Sequence, residues 1–190
     1  TGPPPVAAGP APVPAAAATL VEVLDWHVEA HPGRTQIILL TEGDAEERVD
    51  YRHLREVAGA VAAGLQGLGL QPRQTVAIML PTSREYFFAY FGVLLAGGIP
   101  VPIYPPARPA QIEEHVRRHI GILANAGAGI LVTVPEAMPV ARLLEAGVPG
   151  LRRVVTVAGL TADSPPTPVA LRADDIAFIQ YTSGTTGNPK

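Results

Sequence analysis

The chain closes on Tyr181-Thr182-Ser183-Gly184-Thr185-Thr186-Gly187-Asn188-Pro189-Lys190, directly behind the apolar run Ile176-Ala177-Phe178-Ile179. These residue types at this spacing suit the holding of a polyphosphate. Gly184 and Gly187 open backbone conformations closed to other residues and let phosphate oxygens approach main-chain N–H groups. Thr182, Ser183, Thr185 and Thr186 add hydroxyl donors, and Lys190 supplies one point charge. Lys190 is the only lysine against thirteen arginines, so it does not belong to a general basic surface. Neither G-x-x-x-x-G-K-[ST] nor a G-x-G-x-x-G opening a helix is present. A Ser/Thr/Gly-rich surface turn is what composition alone would suggest; the ordered string behind a strand-like run argues for a phosphate loop instead.

Three further groups could carry chemistry. His115 and His119 lie four apart on an expected helix, which is metal-ligand spacing. No third ligand stands nearby, and Glu113, Glu114, Arg117 and Arg118 make this stretch read as a solvated face. The aromatic cluster Tyr86, Phe87, Phe88, Tyr90 and Phe91 could form a stacking surface or an acyl pocket, but its helical spacing favours core packing. Arg108, Arg117 and Arg118 could meet a phosphate or a carrier partner, although isolated arginines are usually solvated.

The elements that must position the loop follow from the pattern. Residues 1–18, rich in Pro and Ala and without charge, read as a linker or tail, with the folded domain expected over 19–190. Thr19 and Glu22 have capping-box spacing, and Leu20, Val23, Leu24 and Val28 share a helical face up to His31-Pro32-Gly33. Gln36 to Leu40 and Glu47 to Tyr51 read as strands joined by a turn at Gly43-Asp44. A helix follows with Leu54, Val57, Ala58, Val61, Leu65 and Leu68 inside. From Thr75 strand and helix alternate: a strand to Leu80; a helix capped by Thr82 and Glu85 and ending at Gly97-Gly98; a strand Ile99 to Tyr104; a helix from about Ala110 to Ala126. Strand Gly129 to Val134, a short helix with Pro135 in its first turn, strand Val154 to Val157, a surface connection from Gly159 to Asp174 and the final strand from Ile176 complete the order. This is the rhythm of an α/β protein with a mainly parallel sheet flanked by helices.

A net charge of −3 without a basic stripe argues against a nucleic-acid binder. With no cysteine there is no disulfide and no thiol nucleophile, which leans toward the cytoplasm. No apolar run approaches the roughly 20 residues of a membrane helix.

Tyr181 to Lys190 matches every position of Y-T-S-G-T-T-G-x-P-K and so resembles the signature loop of the adenylate-forming superfamily. That superfamily includes acyl-CoA synthetases, fatty-acyl-AMP ligases, luciferases and the amino-acid adenylation domains of peptide synthetases. Val49-Asp50-Tyr51-Arg52-His53-Leu54 and Leu94-Leu95-Ala96-Gly97-Gly98-Ile99-Pro100-Val101-Pro102 are similar to two earlier motifs of the same superfamily. Ile103-Tyr104-Pro105-Pro106-Ala107-Arg108, with Ile122-Leu123-Ala124-Asn125-Ala126, resembles the fatty-acyl-AMP ligases and related acyl-CoA synthetases. Amino-acid-activating members usually carry aspartate-proline after that strand.

The resemblance implies that the chain is the first part of the large N-terminal domain of an ATP-dependent ligase. Such an enzyme converts a carboxylic acid, here expected to be fatty, into an acyl-adenylate and passes it to CoA or to a carrier-protein thiol. Thr182, Ser183, Gly184, Thr185, Thr186, Gly187 and Lys190 would hold the β- and γ-phosphates, with Gln180 and Tyr181 anchoring the segment that leads into the loop. The magnesium ligand, the adenine contacts and the acyl pocket would lie past Lys190, so residues 1–190 alone are expected to be a catalytically incomplete fragment. Two alternatives are an amino-acid adenylation domain and a truncated, non-catalytic binding protein.

Overall fold

The computed structural model describes residues 16–40, 45–106 and 112–182. Among them the order is α1 (Leu20–Ala30), β1 (Thr35–Leu40), β2 (Glu46–Asp50), α2 (Tyr51–Gly67), β3 (Thr75–Met79), α3 (Arg84–Leu95) and β4 (Ile99–Ile103). There follow α4 (Ile112–Ala126), β5 (Ile130–Thr133), a 3-10 turn (Pro135–Ala137), α5 (Met138–Gly147) and β6 (Arg153–Thr156).

Local signals account for most of these boundaries. The Thr19 hydroxyl accepts the Glu22 N–H at 3.2 Å while the Glu22 carboxylate accepts the Thr19 N–H at 2.9 Å, so the expected capping box opens α1. Asp50 caps α2 by accepting the His53 N–H at 2.8 Å, so β2 ends at Asp50 and Tyr51 belongs to the helix. The Thr82–Glu85 box does not form. Ser83 is the N-cap of α3, without a side-chain cap bond, and the Glu85 carboxylate is instead held by Arg84 at 3.0 Å. Leu68, expected inside, is the C-cap of α2 and 37% exposed, whereas Leu70 is buried two residues later. The turn at Gly43-Asp44, Arg108 and the expected helix start at Ala110 lie outside the described residues.

β1 and β2 form an antiparallel pair, and the other four strands form one all-parallel sheet in the order β4-β3-β5-β6. The chain leaves β3 for β4 on one side and then crosses back to β5 on the other. That reversal makes a topological switch point between β3 and β5, and ligands of open α/β sheets bind outside the carboxyl ends of the strands at such a point. The hydroxyl of buried Thr133 donates to the Met79 carbonyl at 3.2 Å and ties these two strand ends together. α2 and α3 pack a core around Val61, Leu65, Ile78 and Val93. A second core, around Met79, Leu123, Leu131 and Leu144, lies under α4 and α5. Helices therefore contribute to two separate cores of one parallel sheet, as the alternating pattern requires.

α2 and α3 meet closely because Gly92 carries no side chain: a Cβ there would stand 2.6 Å from Val61 Cγ1. The connection from Gly159 is not wholly superficial. Leu160 is buried against α2, and Gln66 grips Thr167 twice, accepting its N–H at 2.8 Å and donating to its carbonyl at 2.9 Å.

Candidate functional site

Of the residues expected to clamp phosphate, Thr182 is described and exposed; Ser183, Gly184, Thr185, Thr186, Gly187 and Lys190 lie outside the described residues. What the structure defines is the approach to that loop. Residues 176–182 are not a regular strand. They run beside β4 and make one backbone hydrogen bond among the described residues, from the Ile179 N–H to the Pro100 carbonyl at 3.0 Å.

The reason lies in β4. The Ile99 N–H points to β3, donating to the Gln74 carbonyl at 2.9 Å, so the backbone groups of residues 100 and 102 face the outer edge. Both are prolines. This edge offers acceptors but no donors at those positions, and a full parallel ladder cannot form. The expected final strand is thereby reduced to a tethered extended segment.

Side chains do the tethering. At the start, Asp175 pairs with Arg73 at 2.8 Å, and the guanidinium holds its carboxyl below the usual range. Phe178 leans on Tyr90, with ring centroids 6.2 Å apart, and together with Gln180 it borders a groove of about 300 Å³ lined by Tyr86, Phe87, Phe91 and Pro102. Tyr181 packs against the second core and donates its hydroxyl to Asn125 Oδ1 at the end of α4. The aromatic cluster thus divides: Phe88 is core, while Tyr86 and Tyr90 front the groove. A larger cavity of about 820 Å³ lies near the amino ends of β3 and β4, lined by Leu70, Gly97, Val169 and Ile176. Its position is opposite to the strand ends where ligands of this architecture sit.

The His115–His119 pair is not on a solvated face. His115 is 6% and His119 0% exposed; the rings stack at 3.8 Å, and Tyr104 meets both edge-on. The charged neighbours misled because α4 turns these two positions toward the sheet while Glu113, Glu114 and Arg117 remain outside. His119 Nδ1–H donates to the His115 carbonyl at 2.7 Å, which leaves its Nε2 as the bare nitrogen. Burial first, then His119 and Arg118, push His115 down to about 4, and burial also lowers His119. Among the described residues no group of three or more His, Cys, Asp or Glu side chains could hold a metal.

The sequence does not mark Asn125 or Phe178 as a side chain that holds the approach to the loop. Nothing local marks Asn125, since its partner stands 56 residues away.

Comparison with known proteins agrees with the architecture. The family described as AMP-binding enzyme matches residues 24–190. A probable non-canonical nonribosomal peptide synthetase of Salinispora arenicola is 30% identical over 174 residues, covering 92% of this chain and 2% of that protein. A long-chain-fatty-acid–AMP ligase of Mycolicibacterium smegmatis is 37% identical over 135 residues, covering 68% of this chain and 21% of the ligase. The crystal structure of a fatty acyl-adenylate ligase from L. pneumophila, in complex with acyl adenylate and pyrophosphate, superposes with a TM-score of 0.78 at 28% identity, over 92% of this chain and 30% of that one. The chain spans under a third of each of these proteins. With a matching sequence profile over most of its length, an all-parallel sheet and the same fold, the chain belongs to the AMP-binding enzymes of the adenylate-forming superfamily.

Proposed function

We propose that residues 1–18 are a linker or tail and residues 19–190 the opening part of an adenylation domain that activates a carboxylic acid, of the fatty class, as its acyl-adenylate. The observation that carries this reading is the Y-T-S-G-T-T-G-x-P-K segment set at the end of a tethered extended stretch on a chain of this family. In the reaction a substrate carboxylate oxygen attacks the α-phosphorus of ATP and pyrophosphate leaves. CoA or a carrier-protein thiol then displaces AMP. Since the nucleophile belongs to the substrate, the protein's task is to position the reactants and stabilise phosphate charge. Thr182, Ser183, Thr185, Thr186 and the amides of Gly184 and Gly187 donate to the β- and γ-phosphates, and Lys190 neutralises the departing pyrophosphate. Magnesium would accompany ATP, held chiefly through the phosphates; among the described residues no group of three or more His, Cys, Asp or Glu side chains could hold a metal ion.

The fatty class is favoured by Ile103-Tyr104-Pro105-Pro106 at the end of β4, where amino-acid-activating relatives usually carry aspartate-proline, and by the similarity to fatty-acid–AMP ligases. Similarity to peptide synthetases supports amino-acid activation as the second reading. Carboxylate-dependent exchange of labelled pyrophosphate into ATP by the full-length protein separates the two. Exchange promoted by fatty acids and not by a panel of amino acids is expected, and the reverse preference would replace the first reading with the second.

A further inference from the structure

We infer that Asn125 is a positioning residue for the phosphate loop, acting through the Tyr181 hydroxyl; this rests on the reading of Tyr181 to Lys190 as that loop. The first support is a missing constraint. In a regular parallel ladder beside β4, the Ile179 carbonyl would accept an N–H from residue 102, but residue 102 is proline, as is residue 100. One backbone bond, from Ile179 to Pro100, cannot by itself set the register of an extended segment.

The second support is what replaces it. Extended backbone turns alternate side chains to opposite faces, so Phe178 and Gln180 go to the α3 groove and Tyr181 to the α4 face. Phe178 is 45% exposed, and its groove, framed by broad aromatic surfaces, selects no single register. The Tyr181–Asn125 bond is directional and depends on one residue at each end. A slip by one residue would carry Tyr181 to the wrong face, and a slip by two would break the bond. Burial raises the Tyr181 phenol, so it remains an O–H donor at neutral pH. Thr182, the first expected phosphate contact, is the next residue. Asn125 therefore transmits the position of α4, itself seated on the sheet through Ile122 and Leu123, to the first hydroxyl of the clamp.

The test compares the full-length parent protein with its Asn125→Asp, Asn125→Leu, Tyr181→Phe and Asn125→Leu/Tyr181→Phe variants. MgATP is titrated while the Thr182 and Gly184 amides are followed by NMR, which reads even millimolar affinity. Asn125→Leu and Tyr181→Phe are each expected to weaken binding about three- to tenfold, as one hydrogen bond allows. The double variant should be no worse than either single one, and Asn125→Asp, which keeps the acceptor, should stay within about twofold of the parent. Parent-like affinity in Asn125→Leu would overturn the inference, as would equal loss in Asn125→Asp. Absence of any MgATP response in the full-length parent would instead remove the phosphate-loop reading. Hydrogen exchange at Ile179 then decides separately whether Asn125 holds the segment: faster exchange in Asn125→Leu but not in Asn125→Asp supports it, and unchanged exchange overturns it.

Discussion

His119 donates its Nδ1–H to the carbonyl of His115 at 2.7 Å, and the two imidazoles stack at 3.8 Å with neither Nε2 partnered among the described residues. The pair is built to be neutral. The groups acting on His115, namely the buried surroundings, His119 and Arg118, all oppose a proton.

A pH dependence follows. The folded value of His115 is about 4 against an ordinary 6.5, so between those values the unfolded chain binds more protons than the folded one. Stability contributed by the neutral pair is complete above about pH 6.5 and is lost as pH falls toward 4. Urea midpoints measured from pH 7 to pH 4 should decline, and the decline should flatten in His115→Leu/His119→Leu. An equal decline in that variant would assign the acid sensitivity to other groups.

Gly92 allows the close contact of α2 and α3. Gly92→Ala places a Cβ 2.6 Å from Val61 Cγ1 and 3.1 Å from the Ala58 carbonyl oxygen. Destabilisation of about 1–3 kcal/mol is expected in urea unfolding. Gly67→Ala, where a Cβ meets nothing within 4 Å, should not destabilise.

Pro102 keeps the loop approach from becoming a strand. Pro102→Val restores an N–H opposite the Ile179 carbonyl, and its amide is expected to exchange slowly with solvent. Free exchange at that amide would mean that side-chain packing, not the lost donor, prevents the ladder.

Much of this arrangement was legible in the chain because it is encoded locally. The Thr19–Glu22 box, the glycine stop after α3 and the alternation from Thr75 onward each depend on neighbours within a few residues. The misreadings share the opposite property. The burial of His115 and His119 is set by how α4 rolls onto the sheet, and charged residues one position away hide it. The loss of the Ile176 to Ile179 strand depends on which edge Pro100 and Pro102 face, which only the β3–β4 register determines. The Tyr181–Asn125 bond joins the last described segment to a helix two strands earlier, and no periodicity announces it.

In the proposed function, residues 181–190 clamp the phosphates of ATP in an acyl-activating ligase. Fatty-acid-dependent exchange of pyrophosphate into ATP, compared between the full-length protein and its Lys190→Ala variant, tests it most directly. Exchange is expected to fall by about a hundredfold or more in the variant, the scale for removing one group that stabilises charge at the reacting centre. Exchange untouched by Lys190→Ala, or no exchange with any carboxylic acid, would contradict it.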